Sequence, residues 1–226
     1  MTDRRPMVTS LGAIATMSLG VILLGFAIWR WRENGLDAAI WLVSFLATIA
    51  IRAPHSLRNR RNVVVADRKG GIENILLGGM FATMMVFPLL QLATGIFDFA
   101  NYVLPHGATW IGIVLQVPYL WLFWRSHADL GRNWSPGLEV RAEHGLVTSG
   151  IYARIRHPMY AAIWLSALAQ PLLIQNWIAG TLVIAAFAAM LFIRVSNEEA
   201  MMRTEFGDAY DDYCARTGRL FPKSWT

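Results

Sequence analysis

The chain has 226 residues, of which 55% are hydrophobic and only 15% charged, with a formal net charge of +5. A soluble domain of this length carries about 25% charged residues, and here the charges gather in clusters between apolar runs of membrane length. That pattern excludes an ordinary soluble globule, and basic residues placed between spans argue against a nucleic-acid partner.

In chain order the apolar segments are 8–29, 36–51, 74–97, 107–124, 159–173 and 177–193. The first follows Arg4 and Arg5, but it is too long for a signal peptide and lacks a small-residue cleavage site. The first, third and fourth are long enough to cross a hydrocarbon core of about 30 Å. The second is marginal, with Asp37 near its entrance. The last two belong to one uncharged run from Met159 to Ile193, interrupted by Gln170-Pro171 and Gln175-Asn176-Trp177. That polar break predicts a helical hairpin, with Pro171 ending or kinking the first arm. The expected fold is therefore all-α: a polytopic transmembrane helical protein of about six apolar segments.

With the N-terminus inside, the inner segments carry 18 of the 20 Lys and Arg, and the outer loops keep only Arg30 and Arg32. The positive-inside rule then places both termini in the cytoplasm. Most tryptophans fall near predicted span ends, as interfacial belts do. Cys214 is the lone cysteine, which rules out an intramolecular disulfide and a Cys-based zinc site; no metal is expected. Short termini without organelle signals fit a bacterial plasma membrane, with membrane lipids as partners.

Chemistry concentrates in two polar clusters flanking the hairpin. The first closes the inner loop 125–158 and runs Gly150-Ile-Tyr152-Ala-Arg-Ile-Arg156-His157-Pro158-Met-Tyr160. Pro158 suits the first position of the following helix, whose free N–H groups would make a weakly positive pocket for a carboxylate. Val140 and Leu146-Val147 suggest short extended pieces or turns. The second cluster, Asn197-Glu198-Glu199 and Arg203, starts a stretch of helical period with Met202, Phe206, Tyr210 and Tyr213 on one face, and Glu199 and Arg203 as an i, i+4 pair. Two clusters joined by a membrane hairpin can meet in space. Taken alone, each also fits a plainer role: Arg156 and His157 snorkelling to headgroups, and an amphipathic interfacial helix.

At these residues the chain resembles the isoprenylcysteine carboxyl methyltransferase family of integral membrane enzymes. The matching elements are Leu130-Gly131 with Trp134-Ser135, His144-Gly-Leu-Val-Thr-Ser-Gly150-Ile-Tyr152, Arg156-His157-Pro158-x-Tyr160, Glu198-Glu199, Phe206-Gly207-x-x-Tyr210-x-x-Tyr213 and Arg219-x-x-Pro222. One departure is Ala162, where the family commonly has glycine, and a slightly tighter cofactor pocket is expected there. The resemblance divides the chain into N-terminal transmembrane helices, 1–106, and a methyltransferase core, 107–226. It implies S-adenosylmethionine bound on the cytoplasmic side, with Tyr152, Arg156, His157, Pro158, Tyr160 and Glu198 as its site. Within that set Tyr152, His157 and Tyr160 would contact the methionine part, and Glu198 or Glu199 would face the ribose or the sulfonium. Glu199 and Arg203 are the catalytic candidates, Arg203 orienting an anionic, hydrophobic or lipid-tailed acceptor.

A carboxylate or thiolate acceptor needs no general base, whereas an amine or hydroxyl would need one, and His157 or a glutamate could serve. Two competing readings are an NADPH-dependent membrane reductase of the sterol-reductase type and a non-enzymatic helix bundle. A channel would place ionisable residues inside the spans, and segments 8–29, 74–97 and 159–193 have essentially none apart from their ends.

Overall fold

The computed structural model describes residues 11–59, 64–67, 71–131, 139–141 and 145–223. Arg4, Arg5, Trp134, Ser135 and His144 lie outside the described residues. Eight helices follow in order: α1 (Leu11–Trp29), α2 (Trp31–Asn59), α3 (Gly71–Phe81), α4 (Phe87–Thr94), α5 (His106–Leu130), α6 (Pro158–Leu173), α7 (Leu182–Phe206) and α8 (Asp208–Arg216). Val64–Asp67 (β1) and Glu139–Arg141 (β2) form a small antiparallel ladder, so the extended piece expected at Val140 is present.

Over their described residues the six apolar segments are helical, apart from 95–97, and four stretches are long and apolar enough to cross a membrane: Arg32–Ser56, Gly71–Thr94, His106–Leu130 and Trp177–Phe206. The protein is an all-α integral membrane protein, and Val43, Ile75, Val114 and Phe192 point outward as a lipid-facing surface requires. The long helices extend past the first charge met in the sequence. Arg52, Glu73 and Arg194 therefore lie inside membrane-length helices, at the margins of the apolar segments, whose interiors stay free of charge as expected.

The helices α3 and α4 are one rod joined by a π-type turn at Ala82–Val86, just before Pro88. Proline has no N–H to give the preceding turn, and a wider turn is a common way to absorb that loss. The carbonyl of Thr83 in this turn accepts from Gln170 Nε2 on α6, 2.9 Å away. A polar side chain at the hairpin tip thus satisfies the backbone that the proline disturbs.

The predicted hairpin is present, but Pro171 does not end its first arm: α6 runs through it to Leu173. The turn is set instead by Asn176, whose Oδ1 accepts from the N–H groups of Ile178 and Ala179 at 2.9 and 2.8 Å, an N-cap for the second arm. At Gly180 an added Cβ would strike the Ile174 carbonyl oxygen, so the arms close only over glycine. Gly180→Val is expected to destabilise the fold by about 2 kcal/mol or more through overpacking, checked by thermal unfolding in detergent.

The predicted outer loops meet at one end. Asn34 Nδ2 donates to Leu92 O, Asn176 Nδ2 to Phe97 O and Asn101 Oδ1, and Tyr102 N to Gln175 O, all between 2.6 and 3.0 Å. Both polar clusters lie at the opposite end. In the core, α5 and α6 pack most extensively, with Ala161 and Ala162 against Tyr119 and Phe123. Of the first three helical rods, α2 packs directly on this pair, while α1 packs on α4 and α3 on α7.

Candidate active site

Asp129, near the end of α5, organises the turn that carries the first cluster. Its carboxylate pairs with Arg125 at 2.8 Å and accepts the Ile151 N–H at 2.8 Å. Gly150 takes a left-handed φ of 61°, and a Cβ there would collide with this carboxylate, so only glycine serves on both counts. The short 3-10 turn Gly150–Ala153 then buries Tyr152. The Tyr152 hydroxyl reaches Ser126 O at 3.3 Å, while its carbonyl accepts from Tyr213 Oη on α8 at 2.6 Å.

The chain after α8 returns beside the first cluster. Arg156 N donates to Gly218 O at 2.8 Å and His157 N to Arg219 O at 3.0 Å, with Gly218 N donating back to Arg154 O. Pro158 then opens α6 as its first residue, as the sequence predicts.

Glu199 is the hub of the cluster. It is 2% exposed and meets three basic side chains: Arg156 Nε at 3.3 Å, His157 Nε2 at 3.2 Å, and Arg219 with Nε at 3.1 Å and Nη2 at 2.5 Å. Arg156 also donates to the carbonyls of Cys214 and Thr217. One carboxylate on α7 thereby ties the start of α6 to the C-terminal segment. The neighbouring Glu198 faces another way and accepts from the Tyr160 hydroxyl at 2.7 Å.

Above this hub opens a cavity of about 600 Å³. All six expected cofactor residues, Tyr152, Arg156, His157, Pro158, Tyr160 and Glu198, line it. Glu199 does not; it holds the wall from behind. Tyr210 and Tyr213 line it as well. Burial raises the ionisation of Tyr152 and Tyr210 far above the ordinary phenol range and pushes Tyr213 up to about 12. All three rings therefore stay neutral O–H donors at physiological pH.

Three expectations change. Glu199 pairs with the first cluster and not with Arg203, which is 49% exposed and bonds Asp211 at 3.0 Å. Arg203 is not among the residues lining the cavity, and Arg203→Ala is expected to change turnover by less than about twofold, as for other exposed pairs, measured by methyl-transfer kinetics. The helix expected to continue through Tyr213 breaks at Gly207, φ 52°, because the C-terminal turn of α7 closes on a left-handed residue. That break turns Tyr210 and Tyr213 back over the cavity. Ala162, fully buried, packs against α5 and is not part of the cavity lining, so it does not tighten a cofactor pocket.

Sequence reasoning assigned no role to Asp129, Arg219 or Arg194, and it read the stretch from Arg52 to Arg61 as a loop in contact with lipid headgroups. Arg219 carried a signal, as part of a matched motif. Arg52 carried none, because it looked like one of many loop arginines at a headgroup surface.

Residues 110–204 match the isoprenylcysteine carboxyl methyltransferase (ICMT) family. A protein-S-isoprenylcysteine O-methyltransferase of Schizosaccharomyces pombe is 37% identical over 71 residues, 31% of this chain and 30% of that protein. A probable protein-S-isoprenylcysteine O-methyltransferase of Oryza sativa subsp. indica is 24% identical over 172 residues, covering 74% of this chain and 85% of its own. The cobalt-zinc-cadmium resistance protein CzcN of Cupriavidus metallidurans is 26% identical over 153 residues, 67% of this chain and 68% of its own. The matched segment runs from α5 to the end of α7 and contains Asp129, the Tyr152–Tyr160 cluster and both glutamates. Residues 110–204, somewhat less than half of this chain, are thus the part that is similar to the isoprenylcysteine carboxyl methyltransferase family, and the match spans only 30% of the length of the Schizosaccharomyces pombe protein.

Proposed function

We propose that the protein is an integral membrane methyltransferase that uses S-adenosylmethionine to methylate a carboxylate on a hydrophobic, lipid-tailed acceptor. The observation that carries this reading is one continuous cavity. Its lining joins a polar group, Tyr152, His157, Tyr160 and Glu198, to a group of methionines, Met80, Met84, Met85 and Met190. A donor with amino-acid and nucleoside parts suits the polar group; a flexible apolar chain suits the methionines.

The residues present fit such a donor. The volume lies within the range of about 300–1,000 Å³ usual for small-molecule sites. Glu198 offers a carboxylate to a positively charged ligand, and the His157 and Tyr160 rings stack 5.5 Å apart beside it. When bound, the donor supplies a methyl carbon already activated by a positively charged sulfur. An acceptor carboxylate gives its own electron pair to the new C–O bond, while the pair of the broken C–S bond stays on sulfur. No proton has to be moved. The protein's work is then alignment and the exclusion of water, both of which a cavity sunk between membrane helices provides.

The end bearing the hub faces the cytoplasm, and both termini lie on that side. What supports this is the excess of Lys and Arg in the segments between the spans. The test is calorimetric titration of the lipid-reconstituted protein with S-adenosylhomocysteine. Micromolar binding is expected. No binding by folded protein, with NADPH bound instead, would replace this reading by the reductase.

A further inference from the structure

Two arginines from separate helices of membrane length line the cavity: Arg52 on α2 and Arg194 on α7. We propose that they form a clamp for the acceptor's carboxylate and that loss of the carboxylate's charge on methylation releases the product. The clamp rests on the methyltransferase reading for its substrate, and it adds residues to which that reading gives no part. Arg52 lies outside the family-matched segment 110–204.

The order of groups along α7 is the first support. Met190, Arg194, Glu198 and Met202 recur every four residues and all line the cavity. At about 1.5 Å per residue, each is about 6 Å from the next. Along α7, Arg194 thus stands between Met190, one of the methionines suited to an apolar chain, and Glu198, the carboxylate offered to the donor. A carboxylate at Arg194 would sit between its own tail and the methyl group it accepts.

The second support is the way Arg52 is delivered. Thr48 and Arg52, one turn apart on α2, both line the cavity, as does Tyr119 on α5. The Thr48 and Tyr119 hydroxyls are 2.6 Å apart, which fixes this face of α2 against α5. Each guanidinium lies in the other's field. Arg194 also touches Glu73 at 3.4 Å, which holds it from the α3 side. Both guanidinium groups line the same cavity between membrane helices, where a carboxylate is attracted to each of them. A planar carboxylate matches the guanidinium fork. Its methyl ester has no charge and only acceptor oxygens of lower basicity, so the same two groups would hold it weakly.

The test uses N-acetyl-S-farnesylcysteine and its methyl ester as probes, with binding to the nanodisc-reconstituted full chain measured for each. S-adenosylhomocysteine affinity is measured in parallel. The wild type is expected to bind the acid roughly tenfold or more tightly than the ester, the scale of one or two charge-assisted hydrogen bonds. Arg52→Met should bring the two affinities together while S-adenosylhomocysteine binding stays unchanged, which also shows that the variant is folded. Arg52→Lys, which keeps the charge but not the fork, should recover part of the preference. An acid preference that survives in Arg52→Met, or a wild type that binds acid and ester equally, overturns the clamp. If the acid preference depends on Arg52 but S-adenosylhomocysteine does not bind, the clamp stands and the methyl-donor reading falls.

Discussion

Glu199→Ala is expected to be the most damaging single substitution outside the apolar core. It would leave Arg156, His157 and Arg219 facing one another around an empty space in a wall that is only 2% exposed at Glu199. Removing one partner of a buried ion pair costs about 3–5 kcal/mol. Arg219 is half exposed and can turn to water, which favours the lower end. A loss of about 3 kcal/mol corresponds to a fall of roughly 6–12 °C in the unfolding temperature. S-adenosylhomocysteine binding should fall with it, because the same carboxylate holds His157 in the cavity wall. Thermal unfolding and calorimetry on one preparation check both. Unchanged unfolding would mean that Glu199 does not hold the C-terminal segment in place.

Glu198→Gln should behave in the opposite way. Its carboxylate lines the cavity and accepts from Tyr160, and the amide oxygen of glutamine can still accept that bond. Folding should therefore be nearly unaffected. What disappears is the negative charge offered to a cationic ligand, and a hydrogen bond to a charged group contributes about 1.5–3 kcal/mol. Donor affinity is expected to drop roughly ten- to a hundredfold at an unfolding temperature within a few degrees of the wild type. Equal losses in both quantities would make Glu198 a second structural hub and move the donor elsewhere in the cavity. The two adjacent glutamates thus separate positioning from binding.

Much of this arrangement was legible in the residues. Membrane-length apolar runs, the hairpin break at Gln175-Asn176, and the asymmetry of Lys and Arg determined an all-α membrane protein with both polar clusters at one end, because the bilayer imposes length and charge rules that act locally along the chain. The clustering of Tyr152, Arg156, His157, Pro158, Tyr160 and Glu198 was readable from motif order, and all six line one cavity. The direction of side chains was not. Glu198 and Glu199 are neighbours in sequence but about 100° apart around α7, so one enters the cavity and the other braces its wall. Arg203 has the right spacing from Glu199 for a pair, yet three basic groups brought by α6 and the C-terminal segment compete for that carboxylate and win. Arg52 looks like any headgroup arginine until α2 packs on α5 and carries it to the cavity that Arg194 also lines. Local pattern determined which segments enter the membrane and where polar chemistry gathers; only the packing of distant helices decided which charges meet, because those contacts span tens to more than a hundred residues and leave no periodic trace in the sequence.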